Sequence, residues 1–451
     1  MGIDAKALVS ERVTQGSGAS KVEAGAESLS SELCALSSIQ AAEAKLLLGT
    51  YDRYPLLFTE GSGVYLRTEN GTRYLDLLSG IGVNALGYGH PAIEQAIVEQ
   101  SRKLLHTSNL FFHEGQAAVA LRLTEATGLD RVFFSNSGAE ANEAALKLAR
   151  AYAKLKRSEG APLGTKFLAL ENSFHGRTMG AVAATWKDKY REPFDPVMPG
   201  VEFVRFNDVD DLKAKFSSDV CAILVEAIQG EGGIRPISQE FFQAARDLTR
   251  STGALLIADE IQSGMGRTGR WCAYQHYGIQ PDVVTLAKPL AGGIPLGAMV
   301  CSEEAARAIH AGMHGTTFGG GPLACAVALA VFETIEREHL LDHVTAVGTY
   351  FHEQLNALAT NHSAIVDVRG VGLMLAIELD SADLAKSVLR EMMKRRILIN
   401  RTSETVLRFL PPFILQKEHV DEGIAALNQI LSEQTAVAAA APNAGGHNLG
   451  Q

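Results

Sequence analysis

A lysine and an aspartate close two nearby apolar runs. Lys288 follows Asp282-Val283-Val284-Thr285-Leu286-Ala287, and Asp259 ends Ala254-Leu255-Leu256-Ile257-Ala258. Read as two strands of a parallel sheet, these runs bring an amine and a carboxylate to one sheet edge. A lysine at the mouth of a buried strand is costly unless it is paired, neutral or covalently used. Two further stretches have the makings of anion sites. Ser135-Asn136-Ser137-Gly138-Ala139-Glu140 follows the apolar run Val132-Phe133-Phe134 and opens a helical pattern. His314-Gly315-Thr316-Thr317-Phe318-Gly319-Gly320-Gly321-Pro322 sets hydroxyls beside a glycine-rich loop.

An amine and a carboxylate at one edge suit pyridoxal phosphate (PLP). Lysine forms the Schiff base, and aspartate partners the protonated pyridine nitrogen. A helix start with a Gly beside free backbone N–H groups suits the phosphate. Each residue alone also has a plainer reading. Lys288 could be a solvated strand end, and Asp259 an N-cap or turn residue. Ser137 and Glu140 have the spacing of a capping box, which needs no ligand. The second loop could simply require unusual backbone angles.

The elements that must position these groups follow from the apolar pattern. Val132–Phe134, Lys166–Leu170, Cys221–Val225, Leu255–Ile257 and Val283–Leu286 are short apolar runs alternating with helical stretches. Continuous apolar strands fit a mostly parallel sheet covered on both faces, so the fold class is α/β. Ligands gather beyond the carboxyl ends of such strands. In the helical pattern after Gly138, the residues Ala141, Ala144, Ala145, Leu148, Ala149 and Tyr152 share one face. Asn70-Gly71 predicts a hairpin between Gly63–Leu66 and Arg73–Leu77. After residue 330 helices flank Ala364–Gly370, Gly372–Leu379 and Val406–Phe409, which reads as a smaller α+β domain. The expected division is 47–95 with 331–435 for the small domain and 96–330 for the large one. Residues 1–46 read as a mobile extension with helical patches, one of them around Glu27–Leu33. Residues 436–451 read as a disordered tail.

The chain has 451 residues, 46% of them hydrophobic, and a net charge of −10. That balance argues against a general nucleic-acid binder. Five cysteines, with no Cys-x-x-Cys pair, suggest a reduced, cytoplasmic chain without a disulfide framework or metal site. No apolar run is long enough to span a bilayer, and no secretory signal is visible.

Taken together the motifs resemble one family, the class III (ornithine-type) PLP-dependent aminotransferases, over Tyr54 to Leu431. The most specific stretches are Asn136–Glu143, Ser173-Phe174-His175-Gly176-Arg177-Thr178, Gln229-Gly230-Glu231-Gly232-Gly233 and Asp259–Gly269. The pattern departs from the family's at Ala227, Pro289 and Gly321, where proline, a small residue and asparagine are commoner.

The resemblance implies the fold type I architecture and a role for each matched position. Lys288 would carry PLP and move protons. Asp259 would hold the pyridine N–H. Gln262 would approach the ring hydroxyl, and Phe174 would stack on the ring next to His175. Ser137, Gly138 and Ala139 would bind the phosphate. Thr317 would reach the cofactor of a neighbouring subunit, which makes a homodimer with shared active sites the expected unit. Arg408 and Arg177 would take the two carboxylates of glutamate, and Glu231 would cover Arg408 when no α-carboxylate is there. Val83, in Gly80–Gly87, gives an apolar wall suited to an acyl-amine. The acetylornithine branch is thereby expected, with N-acetylornithine and 2-oxoglutarate/glutamate as substrates in arginine biosynthesis. The alternatives are ornithine, succinylornithine, 4-aminobutyrate or lysine-type enzymes, and a PLP-binding protein without turnover.

Overall fold

The structure, a computed structural model, describes residues 29–440. Expectations for residues 1–28 and 441–451 lie outside these. The first element is a helix, Leu29–Leu46, longer than the short patch the sequence suggested. Strands β1 (Phe58–Ser62), β2 (Tyr65–Thr68) and β3 (Arg73–Asp76) then form an antiparallel meander. The β2–β3 turn is the one expected at Asn70-Gly71. The Asn70 side-chain Oδ1 accepts from the Thr72 N–H at 2.9 Å, an Asx-type closure.

The central sheet is built from β4 (Arg131–Ser135), β5 (Lys166–Leu170), β6 (Val201–Val204) and β7 (Val220–Val225). A short ribbon, β8 (Ile228–Gln229) with β9 (Arg235–Pro236), leaves the end of β7. The chain returns to the sheet as β10 (Leu255–Asp259), β11 (Val283–Leu286) and β12 (Gly297–Cys301). The order across the sheet is β4-β12-β11-β10-β7-β5-β6. Only β12 runs against its neighbours, so the sheet is mostly parallel. All six residues of β7 are buried, as a strand covered on both faces requires. Strands β6 and β12 were not picked out from the sequence.

The C-terminal third adds β13 (Ile365–Val371), β14 (Met374–Leu379), β15 (Ile397–Leu398), β16 (Asn400–Arg401) and β17 (Val406–Phe409). Four of these form an antiparallel sheet, β13-β14-β17-β16, while β15 pairs in parallel with β3. The early and late parts of the chain therefore share a sheet. Apolar side chains gather into two main cores, one around the seven-stranded sheet and one around the two smaller sheets. The helix Pro322–Arg337 feeds both: Val327 and Ala328 face the first, Val331 and Ile335 the second. Residue 331, the expected start of the later part, thus lies inside a shared helix. A third, smaller core packs Ile228 and Ile234 of the β8–β9 ribbon against Met374, Ala376 and Val406. The last helix, Lys417–Ala440, runs past residue 436. The tail expected from 436 is a correction: its first residues continue this helix, because an Ala-rich run has high helix propensity and no breaker before Pro442.

Candidate active site

Register across β10 and β11 sets Asp259 beside Thr285, with Lys288 three residues further along. A cavity of about 410 Å³ opens at this edge. Its walls include Ser137, Gly138, Ala139, Phe174, His175, Arg177, Glu231, Asp259, Gln262, Lys288 and Val83. Eleven of the thirteen positions singled out from the sequence therefore meet at one place. Arg408 lies behind Glu231 and Gln262, and Thr317 lies elsewhere, exposed on the loop before the helix Pro322–Arg337.

The anion end comes from the helix Gly138–Ser158. Ser137 is its N-cap, with the hydroxyl accepting from the Glu140 N–H at 3.2 Å. The box is only half closed, since the Glu140 carboxylate takes the Asn136 N–H rather than that of Ser137. The Ser137, Gly138 and Ala139 N–H groups consequently have no acceptor among the described residues. Glycine is needed at 138, since a Cβ there would stand 2.8 Å from the Ile261 side chain. These amides at the positive end of a long helix match a phosphate. The expected buried face is also present, from Ala141 to Tyr152.

Lys288 opens a single 3-10 turn, Lys288–Ala291, closed by Gly292. It has no ion-pair partner within 4.0 Å among the described residues. Burial is the main influence on its amine and pulls the pKa below the ordinary lysine value. Glu231 and Asp259 push the other way, while Arg408 adds to the depression. An amine tuned down in this way is a more available base and nucleophile near neutrality.

Asp259 is buried and fully engaged on one side. Its Oδ2 accepts from His175 Nδ1 at 2.7 Å and from Asn142 Nδ2 at 2.8 Å. Its Oδ1 accepts from the Ile261 N–H at 3.1 Å. For His175, burial opposes the charged form, but the hydrogen bond and charge of Asp259 outweigh it and raise the pKa. Phe174 sits on the cavity wall, its N–H held by Glu226 Oε2 at 3.1 Å. Glu226 was not picked out from the sequence. It is a buried carboxylate at the end of β7 that also accepts from the Gly230 N–H at 3.2 Å. Burial pushes its pKa up to about 7; the His175 charge opposes this and Asp259 adds to it.

Arg408 is completely buried on β17. It donates from Nη1 to Glu231 Oε1 at 2.6 Å and to Gln262 Oε1 at 2.9 Å, and from Nε to Asn400 Oδ1 at 3.0 Å. Its Nη2 has no partner among the described residues. For Glu231, burial resists ionisation, but Arg408, then Lys288 and Lys187, hold its carboxyl below the usual range. Arg177 is exposed at the cavity wall, its guanidinium 3.6 Å from the centre of the Tyr190 ring. No carboxylate of the chain is paired with it among the described residues. Tyr190 is a second residue the sequence did not suggest. Val83 follows a turn of left-handed backbone at Ser79–Gly82 and faces the cavity from the small-sheet side.

Residues 49–431 match the family described as Aminotransferase class-III. The chain belongs to the class III aminotransferases. It is 47% identical to the acetylornithine aminotransferase of Methanocaldococcus jannaschii, over 87% of this chain and 97% of that one. It is 44% identical to the acetylornithine aminotransferase of Caldanaerobacter subterraneus subsp. tengcongensis, over 87% and 98%. The solved ornithine aminotransferase of Toxoplasma gondii superposes with a TM-score of 0.85 at 30% identity, covering 92% of this chain and 100% of that one.

The protein is a PLP-dependent transaminase with the fold of this family. Its cavity fits the cofactor: free amides for the phosphate, acceptor capacity left on Asp259, an aromatic wall and an unpaired lysine. No helix among the described residues is long and apolar enough to cross a membrane.

Two outcomes follow from this geometry. The unfolded chain holds Lys288 protonated at pH values where the folded site disfavours the proton, so the folded state gains stability as pH rises through that window. Lys288→Met should therefore raise the melting temperature of the cofactor-free protein at pH 7 by about 1–3 °C. The advantage should shrink towards pH 10, and a difference independent of pH would contradict the burial argument. At the anion end, a Cβ on Gly297 would fall 2.4 Å from the Ser137 carbonyl oxygen. Gly297→Ala should displace the N-cap and weaken PLP binding about tenfold, roughly 1.4 kcal/mol, in fluorescence titrations of the cofactor-free protein.

Proposed function

We propose that this chain moves the terminal amino group of N-acetylornithine to 2-oxoglutarate, giving N-acetylglutamate semialdehyde and glutamate. The observation that carries the reading is Arg408 lying behind Glu231, 2.6 Å away, where Glu231 lines a cavity with an apolar wall at Val83. The similarity to relatives named for acetylornithine is its second support. The step belongs to arginine biosynthesis. A cytoplasmic setting agrees with buried, unpaired Cys221, Cys272, Cys301 and Cys325.

PLP, when bound, supplies an electron sink for the carbon that loses its proton. The chain does the rest. Ser137, Gly138 and Ala139 would hold the phosphate, Phe174 would lie against the ring, Asp259 would take the ring N–H and Gln262 would approach the ring hydroxyl. Lys288 Nζ takes the proton from the amine-bearing carbon and delivers it on the other side of the transfer. Arg177, free of any carboxylate of its own, takes the α-carboxylate of N-acetylornithine, whose reacting amine is at the far end. Glu231 keeps Arg408 covered during that half-reaction. When glutamate enters, its α-carboxylate displaces Glu231 and pairs with Arg408, whose Nη2 is still unused, while Arg177 takes the distal carboxylate. One site thereby serves an amine far from a carboxylate and an amine next to one.

The working unit is a homodimer in which Thr317 reaches the partner's phosphate. Two features support this. Thr317 is exposed and does not line its own cavity. Around it lies an apolar surface of Leu110, Phe111, Phe112 and Phe318. That surface is firmly built, with Asn109 Nδ2 donating to the Thr316 carbonyl at 3.0 Å and His113 Nε2 2.8 Å from the Gly320 carbonyl. Contiguous exposed apolar area of this kind usually marks an interface.

Three measurements test these assignments. A panel of amine donors with 2-oxoglutarate should show N-acetylornithine preferred; faster turnover of ornithine or 4-aminobutyrate would overturn the substrate. Glu231→Gln should lower kcat/KM for N-acetylornithine about tenfold or more while sparing the glutamate half-reaction, because Arg408 is no longer neutralised. Sedimentation should give twice the mass of the chain, and Phe111→Asp with Phe318→Asp should shift it to the monomer with loss of PLP affinity.

A further inference from the structure

Asn142 sits one turn into the helix that holds the anion site, on its buried face. It is completely buried, in a helix interior where Asn has no intrinsic advantage. Its Nδ2 donates twice, to Asp259 Oδ2 at 2.8 Å and to the His175 carbonyl at 2.7 Å. Its Oδ1 accepts from the Thr285 hydroxyl at 2.8 Å. Thr285 is itself fully buried and lies opposite Asp259 in the sheet register. Turning the amide over would aim its oxygen at two acceptors, so only one orientation is stable. An ionised Asp259 can only accept, so His175 donates to it from Nδ1.

These contacts account for the carboxylate atom by atom. Oδ2 has two donors, His175 and Asn142. Oδ1 has one, the Ile261 N–H, and keeps the remaining acceptor capacity of a residue that lines the cavity. Rotation of the carboxyl would break two charge-assisted hydrogen bonds at a buried position. We propose that Asn142, oriented by Thr285, is a positioning residue for transamination: it locks the Asp259 carboxylate and the His175 ring so that Asp259 meets the cofactor's ring nitrogen with a fixed, unoccupied acceptor. The same side chain ties this acceptor to the helix whose first amides hold the phosphate. Both ends of the cofactor are thereby held at one spacing.

The test uses PLP itself, so it rests on the cofactor reading and not on which amine is used. A wrong substrate would leave these readouts unchanged. Asn142→Ala should raise the Kd for PLP about tenfold, the loss of one charge-assisted hydrogen bond. It should also shift the pH titration of the bound PLP absorbance, because His175, Glu226 and Lys288 all face the Asp259 carboxylate that Asn142 holds. Thr285→Val keeps the shape and removes the hydroxyl; it should move both readouts in the same direction, and Thr285→Ser should restore them. If Asn142→Ala does not fold, the Thr285 pair carries the test alone. Wild-type PLP affinity and an unshifted titration in Thr285→Val, or in a folded Asn142→Ala, would overturn the proposal.

Discussion

A carboxylate closes a strand that is buried on both faces, and the rest of the site is arranged around satisfying it. Moving an ion into such a place costs several kcal/mol unless donors replace the water it loses. Asp259 recovers them from His175, Asn142 and the Ile261 amide. Those donors come from three separate parts of the chain. His175 is in the loop after β5, Asn142 in the helix after β4, and Ile261 in the turn after β10. Meeting the needs of one carboxylate therefore fixes how those three parts sit relative to one another. The cavity between them is the space left by that arrangement.

Charge balance extends outward from this centre. Glu226 precedes the ribbon that follows β7 and Glu231 lies in the turn between its two strands, and both are bound by groups that also serve the cavity. Glu226 holds the Phe174 and Gly230 amides, so the aromatic wall and the base of the ribbon share one anchor. Glu231 sits on Arg408, which reaches in from the small antiparallel sheet. The ribbon can cross from one core to the other because Ile228 and Ile234 are packed under it. Arg267 shows the cost of the same junction. It is fully buried, its side chain bonded among the described residues only to the Leu373 and Pro411 carbonyls and stacked near the Phe413 ring, and burial lowers its pKa to about 9. Bridging two cores with polar backbone on both sides has been managed here by a cation without a carboxylate.

The residues legible in the sequence were those with unusual type for their place: a lysine and an aspartate at the ends of apolar runs, and a glycine at a helix start. The major strands were legible for the same reason, as apolar runs of strand length. Asn142, Thr285 and Glu226 were not, although each is as buried as Asp259. Asn142 and Thr285 look like ordinary interior positions of a helix and a strand. Their importance comes from register, which depends on strand pairing that no local pattern specifies. One signal was available for Glu226. It closes β7 as Asp259 closes β10, and acids at equivalent strand ends of a parallel sheet converge on one edge. Strand β12 was hidden by its glycine and by its reversed direction in an otherwise parallel sheet. At the termini, the helices Leu29–Leu46 and Lys417–Ala440 reach into segments that read as mobile or disordered. Ala-rich, polar composition is shared by disordered chains and by good helices, so composition alone does not separate them.

The turn before Val83 shows that the small-sheet side is specified as tightly as the carboxylate side. Ser79, Gly80, Ile81 and Gly82 all have positive φ, between 48° and 77°. Glycine accepts this at little cost, but Ser79 and Ile81 are each strained by about 1–3 kcal/mol. The strain is held by a buried clamp. Asp76 accepts from the Leu78 and Ser79 amides at 2.8 and 3.0 Å and from the Tyr88 hydroxyl at 2.5 Å. The Ser79 hydroxyl donates to the Leu410 carbonyl at 2.6 Å, two residues beyond Arg408. The same carbonyl strand end thus steadies both the apolar wall and the buried guanidinium. A regular helix or strand at 79–82 would carry Val83 away from the cavity, because its direction is set by those four dihedral pairs. The strained turn is consequently part of how the site is shaped: it aims one aliphatic side chain at the substrate space from the domain that also supplies the arginine.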